Sequence, residues 1–224
     1  MQTQPSPGIV DHVRDDVPRY SDNRDGGDNN HRGQAPENQY RAVAYSMLAA
    51  LLRSPPEQEV LERVTGLAEV VEDKDDFAIA MSMLGLSARA ASPVELDDEF
   101  HALFIGIGRG ELVPYGSWYL TGFLMEKPLG VLREDLAAIG YQRSDGNREP
   151  EDHVAALCEV MALMINDGHS LDHQGRFFDR HIASWFGPFF MDLGEAKSAV
   201  FYRSVARFGK AFFEFEKQYL AMGV

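Results

Sequence analysis

From Glu37 onward, no stretch of the chain alternates apolar and polar residues between hairpin turns. Apolar residues instead recur at three- and four-residue spacings in one segment after another, broken by proline and glycine. That pattern confines the fold to packed helices. "QYRAVAYSMLAALL" (39–52) is Ala-rich, has no internal Gly or Pro, and is stopped by "RSPP". "PPEQEVLERVTGLAEV" starts a second helix, with Pro56 suited to its first turn. "DDFAIAMSMLGLSARAA" gives a third. "SPVELDDEFHALFIGIG" gives a fourth, with Ser92 as cap, Pro93 in the first helical position and Glu95 completing a capping box. "PLGVLREDLAAIG" is closed by Gly140. The segments beginning at Glu149, Gln174 and Glu195 continue the series. The expected architecture is all-α, a single compact domain of roughly eight to ten helices.

Residues 1–36 differ. "YSDNRDGGDNNHRGQAPENQ" is rich in Asp, Asn and Gly and has no apolar period, so it buries too little surface to offset its ordering entropy. The sequence therefore divides into a disordered tail, 1–36, and a helical domain, 37–224, and it assigns His12 and His31 in the tail no structural part. Within the domain, "GRGELVPYGSWYLTGFLMEKP" (108–128) and "YQRSDGNR" (141–148) read as irregular, the first crowded with aromatics.

Charge and composition exclude several classes of function. A formal charge of −14 disfavours nucleic acid and anionic membranes and suits a basic partner. Residues 53–100 concentrate that charge, with twelve acids against four bases. The single cysteine, Cys158, permits neither an intramolecular disulfide nor a multi-cysteine metal site. The N-terminus lacks a basic start followed by an apolar run, and no stretch reaches the ~18 apolar residues of a membrane span. The expectation is a soluble, cytoplasmic protein.

Three groups of residues are candidates for chemistry. In "REPEDHVAALCEVMALM" (148–164), Pro150 fits a first helical position, and Glu149, Glu151 and Asp152 place carboxylates at the positive end of the helix dipole. On a helix starting there, His153 lies at the edge of the apolar stripe of Leu157, Met161 and Met164. Asp152 falls on the far side beside Glu159. In "PYGSWYLTGF" (114–123), Tyr115, Trp118, Tyr119 and Phe123 crowd between glycines; they either pin their own loop or form a peptide-gripping surface. In 166–181, His169, Asp172, His173 and His181 could serve a metal-dependent enzyme. Gly168 and Gly175 make a helix through both His169 and His173 doubtful. No G-x-S-x-G, P-loop or Rossmann pattern supports an enzyme or a nucleotide-regulated scaffold.

"EFHALFIGIGRGELVPYGSWYLTG", then "EPEDH" leading an apolar helix, then "FFDRHIASWFGPFFMDL" resemble the TorD/DmsD/NarJ family of cytoplasmic molybdoenzyme maturation chaperones. The resemblance runs from about Tyr40 to Tyr219, and its most specific marker is the E-P-x-D-H box. It implies an all-helical fold with no catalysis, no cofactor and no metal of its own. It also implies binding to the twin-arginine signal peptide of an apo-reductase or formate dehydrogenase, held until the molybdenum cofactor is inserted. The signal-peptide role is carried onto Tyr115, Trp118, Tyr119, Glu149, Pro150, Asp152 and His153. An acidic chain with an aromatic-lined apolar groove complements a peptide that has a basic end and an apolar run.

Overall fold

The computed structural model describes residues 8–12, 36–69, 75–106 and 110–222. Ten α-helices make up most of the described chain: α1 Pro36–Arg53, α2 Gln58–Thr65, α3 Asp76–Ala90, α4 Pro93–Phe100, α5 Gly116–Thr121, α6 Lys127–Ala138, α7 Val154–Asn166, α8 Leu171–His181, α9 Phe186–Glu195 and α10 Phe201–Ala221. One 3-10 turn follows α2 and one π-helical turn follows α4. The all-helical expectation is met.

The centre of the fold is α7. Ten of its 13 residues are buried, so it is apolar nearly all round, as a helix enclosed by others must be. On one side it packs along α1, which presents Tyr45, Leu48, Ala49 and Leu52. The long α10 packs against α9 and α3 through aromatic rungs, with Phe77 of α3 meeting Phe208, Phe212 and Phe215. At Gly209 the helix comes so close to Phe190 that a Cβ would lie 2.2 Å from the ring, so only glycine fits. A buried ion pair joins the two ends of the chain. Arg41 donates to Glu216 at 2.6 and 2.9 Å, Gln174 accepts a further Arg41 proton, and the Tyr45 hydroxyl donates to the same carboxylate.

The locally coded helix ends form as expected. Ser92 caps α4, Pro93 occupies its first turn, and Ser92 and Glu95 hydrogen-bond side chain to side chain. Gly140, with φ of +82°, follows α6 in the left-handed conformation that glycine tolerates best.

The N-terminal stretch departs from the expected tail. Residues 8–12 are ordered, and Val10–His12 forms a strand, β1, antiparallel to β2 at Tyr141–Arg143. Ile9 and Val10 are buried. Their backbone N–H groups donate to Glu159 on α7 at 2.6 and 3.2 Å, and Arg53 pairs with the same carboxylate at 2.7 Å. His12 does have a structural part: it lies 3.6 Å from Asp167 and edge-on to Tyr141. Two aliphatic side chains and a carboxylate clamp thus order a segment whose composition alone would leave it unfolded. Pro36, the last residue of the expected tail, already belongs to α1, and 1–7 and 13–35, including His31, lie outside the described residues.

Candidate functional site

The two segments that the sequence singled out are one structural unit. Tyr115 and His153 form an antiparallel bridge, flanked by Gly116 N–H donating to Asp152 O at 2.8 Å and Val154 N–H donating to Pro114 O at 2.9 Å. Side chains reinforce the pairing. The Asp152 Oδ2 atom accepts the Ser117 N–H at 2.8 Å and also the Ser117 hydroxyl. The Tyr115 hydroxyl donates to Glu149, and its ring meets His153 edge-on at 5.1 Å. Arg133 of α6 holds Glu151 at 2.8–2.9 Å. Burial and the Glu149 carboxylate together push the Tyr115 phenol up, so it stays a donor.

This pairing corrects the expected register of the box. The helix starts at Val154, not at Pro150. Residues 149–153 are a turn that leads into it: the His153 N–H closes on Pro150 O at 3.1 Å, and His153 is held extended by its pairing with the 114–116 backbone. His153 is the N-cap, and its Nδ1 accepts from Ala155 N–H at 3.1 Å. It is not at a wet rim: His153 is 6% exposed and Asp152 4%. Burial lowers the imidazole pKa to about 3, so the ring is neutral, with Nδ1 as acceptor. Glu159, expected on a solvent face beside Asp152, is the clamp of β1.

The stretch expected to be irregular contains α5. Gly116 lets this short helix approach Trp185, where a Cβ would lie 3.3 Å from the indole nitrogen. Tyr119 stacks on Trp185 at 5.5 Å and donates to Asp192 at 3.0 Å. Trp118 and Tyr119 are half-buried, while Leu120, Phe123, Leu124 and Met125 form an exposed apolar tip.

Two clefts flank α5. The first, ≈ 350 Å³, is walled by Gly116, Leu120, Pro128, Leu132 and Leu157, with Asp152 in its lining. The buried Asp152 Oδ1 has no hydrogen-bond partner among the described residues. The second, ≈ 320 Å³, is lined by Trp118, Tyr119, Glu111, Asp192, Glu195 and Lys197. Sequence reasoning missed Ser117, Arg133 and Asp192, each of which acts on a partner distant in sequence.

The histidine-rich candidate does not come together. Ser170 caps α8, so His169 lies outside the helix, with its Nδ1 3.2 Å from that of His173. His181 turns away to Asp135 at 2.6 Å. Among the described residues no three His, Cys, Asp or Glu groups are placed to hold a metal. Nor is any single described helix long and apolar enough to cross a membrane.

Comparison with known proteins gives concordant results. Residues 57–191 match the family described as nitrate reductase delta subunit. Chaperone protein TorD of Vibrio atlanticus (strain LGP32) is 26% identical over 206 residues, covering 82% of this chain and 96% of the relative. Chaperone protein TorD of Aliivibrio fischeri (strain ATCC 700601 / ES114) is 27% identical over the same length, with the same coverage. Among solved structures, a protein from Archaeoglobus fulgidus described as a redox enzyme maturation protein superposes with a TM-score of 0.56 at 20% identity. That superposition covers 84% of this chain and 99% of the other.

Proposed function

The chain belongs to the nitrate reductase delta subunit family, and from that membership we propose that it is a molybdoenzyme maturation chaperone, not an enzyme. In this reading it binds the twin-arginine signal peptide of an apo-reductase or formate dehydrogenase in the cytoplasm. It holds the client back from export until the molybdenum cofactor is inserted. Its relatives are named as chaperones. One observation carries the site: the E-P-x-D-H turn and the aromatic segment are a single hydrogen-bonded unit at the mouth of an apolar cleft, with a spare buried carboxylate oxygen in the lining.

The chemistry suits a peptide. Apolar walls take apolar side chains, and the net negative chain draws a basic end from a distance. Asp152 lines the cleft, and Tyr115, Glu149, Pro150 and His153 build the hydrogen-bonded turn that places it; Trp118 and Tyr119 supply aromatic surface in the adjoining cleft. Isothermal titration calorimetry of the purified chain with synthetic molybdoenzyme leaders from the same organism tests the reading. Saturable one-to-one binding is expected, weakened separately when the arginines are replaced and when the apolar run is shortened. Absence of binding to every such leader would sink it.

A further inference from the structure

We infer that α5 is a ridge between two subsites of opposite character. A bound peptide crosses it with its basic end in the Trp118/Tyr119 cleft and its apolar run in the Gly116/Leu120 cleft. The inference rests on the proposed function, which supplies a peptide with a basic end followed by an apolar run. It adds which end goes where and which groups read each.

The linings of the two clefts set the division: Gly116 and Leu120 face the first, Trp118 and Tyr119 the second. The charges on the two sides have opposite sign. The first cleft carries Lys127 and Arg180 against the single carboxylate of Asp152, within mostly apolar walls. A guanidinium entering it meets Lys127 and an Arg180 already paired with Asp135 at 3.3 Å, with Asp152 the only carboxylate in the lining. The second carries Glu111, Asp192 and Glu195 against Lys197. Glu111 is committed to the Lys197 and Ser198 N–H groups, which leaves Glu195 and the Asp192 oxygen not taken by the Tyr119 hydroxyl to meet a ligand. Beside them lie the Trp118 and Tyr119 rings. Carboxylates next to aromatic faces match a guanidinium, which pairs in its plane and stacks on its face.

The spare oxygen of Asp152 then has a different task from pairing an arginine. An apolar run lying in the first cleft buries its own backbone N–H groups, and a buried donor needs an acceptor. Asp152 lines that cleft, and its Oδ1 is buried without a partner among the described residues. It is placed to accept one peptide N–H and so fix the depth of the run. Over the ridge, the exposed Leu120, Phe123, Leu124 and Met125 give apolar footing. A helix is ~10 Å across, and an extended residue spans ~3.3 Å. About three residues therefore separate the arginines from the first seated apolar side chain.

Double-mutant cycles test the orientation. The probe is a synthetic peptide with two adjacent arginines, a three-residue polar spacer and an Ala/Leu run. Partner peptides have the arginines changed to glutamine, the run changed to serine, or the spacer removed. The protein variants are the exposed pair Asp192→Asn/Glu195→Gln, the exposed Leu120→Ser, and Asp152→Asn, each checked for an unchanged circular dichroism spectrum and melting temperature. The carboxylate pair should weaken binding about tenfold. That loss should vanish with the arginine-free peptide and shrink at high salt. Leu120→Ser and Asp152→Asn should weaken the arginine-containing and arginine-free peptides by equal factors. Removing the spacer should cost as much as removing the arginines. If Asp152→Asn is the variant coupled to the arginines, or if the Asp192/Glu195 loss persists with the arginine-free peptide, the orientation is overturned while peptide binding stands. If the unaltered protein binds no probe, and no natural leader either, the proposed function fails and takes this inference with it.

Discussion

Two carboxylates on the α7 stretch, Asp152 just before the helix and Glu159 in its middle, do the same local job with opposite results. Each accepts backbone N–H groups from a segment remote in sequence: Asp152 from Ser117, and Glu159 from Ile9 and Val10. Glu159 uses both oxygens, Oε2 on the two amides and Oε1 on Arg53. Asp152 places both of its donors on Oδ2 and leaves Oδ1 buried without a partner among the described residues. A fully engaged carboxylate is a clamp. A half-engaged one beside a cleft is where a ligand's donor can be accommodated, because buried acceptors are rarely left unused. The two ends also differ in how they respond to protons. Burial pushes the Glu159 carboxyl up, against the pull of Arg53, and pushes the neighbouring His153 imidazole down to about 3.

The largest expected effect breaks this comparison along the pH axis. His153 has a folded pKa below its unfolded value of about 6.5. The unfolded chain therefore binds the extra proton first. The stability tied to the neutral ring is complete above pH 6.5 and is lost as pH falls toward 3. Glu159, with a raised folded pKa, has the opposite sign: its term favours the fold at low pH and fades as pH rises through the folded value. Between pH 7 and 4.5 the His153 term amounts to on the order of 2–3 kcal/mol. The unfolding free energy of the native chain relative to that of His153→Asn, which keeps a capping side chain, should fall by that amount between pH 7 and pH 4.5. Parallel curves would show that the imidazole is not the group losing its place on acidification.

What was legible in the sequence follows the same division between local and distant causes. Ser92, Pro93 and Glu95 announced α4 because a capping box acts over three residues. Gly140 announced the end of α6 for the same reason. The residues of the box were legible as a motif, but not their register. Pro150 is an equally good first helical residue on paper, and only the pairing of His153 with the 114–116 backbone holds His153 extended and delays the helix to Val154. The strand at Val10–His12 was illegible because its whole support is remote. The Glu159 clamp lies 150 positions away from Ile9, and two aliphatic residues make no period. The aromatic segment was seen, yet its helix was hidden by the flanking Gly116 and Gly122. The first is needed for contact with Trp185, and the second ends the helix with φ of +81°.

A second, smaller effect sharpens the contrast between clamp and site. Glu159→Ala orphans two amides and removes one ion-pair partner of Arg53, which should cost about 1.5–3 kcal/mol of stability. Leader affinity should stay within twofold, since α5 and residues 149–153 do not touch this carboxylate in any hydrogen bond described above. Amide exchange at Ile9 and Val10 should accelerate toward unprotected rates. Asp152→Asn should show the reverse pattern, with a small loss of stability and a large loss of affinity. If both variants lost stability and affinity in the same proportion, the satisfied and unsatisfied carboxylates would be doing one job, and the distinction would go.

The smallest effect concerns the strand that the clamp holds. Ile9 and Val10 are 1% and 3% exposed, and burying two such side chains contributes ~1.5–3 kcal/mol each. Ordering five residues costs ~1–2 kcal/mol apiece. Burial thus contributes ~3–6 kcal/mol against an ordering cost of ~5–10 kcal/mol. The hydrogen bonds to Glu159 and β2 offset the difference. β1 therefore docks with little net free energy, and the rest of the domain should fold without it. A chain starting at Glu37 should keep its helical circular dichroism and lose only about 1 kcal/mol, or ~2–4 °C of melting temperature for a domain this size. Ile9→Asp in the intact chain should cost no more than that truncation, because no substitution within the strand can exceed the free energy with which the strand docks. Glu159→Ala should cost more than either, since it also deprives Arg53. A truncation that left the melting temperature unchanged would show that the strand contributes nothing to stability. One that lowered it by much more than a few degrees would make residues 8–12 part of the folding core, not a segment fastened onto it.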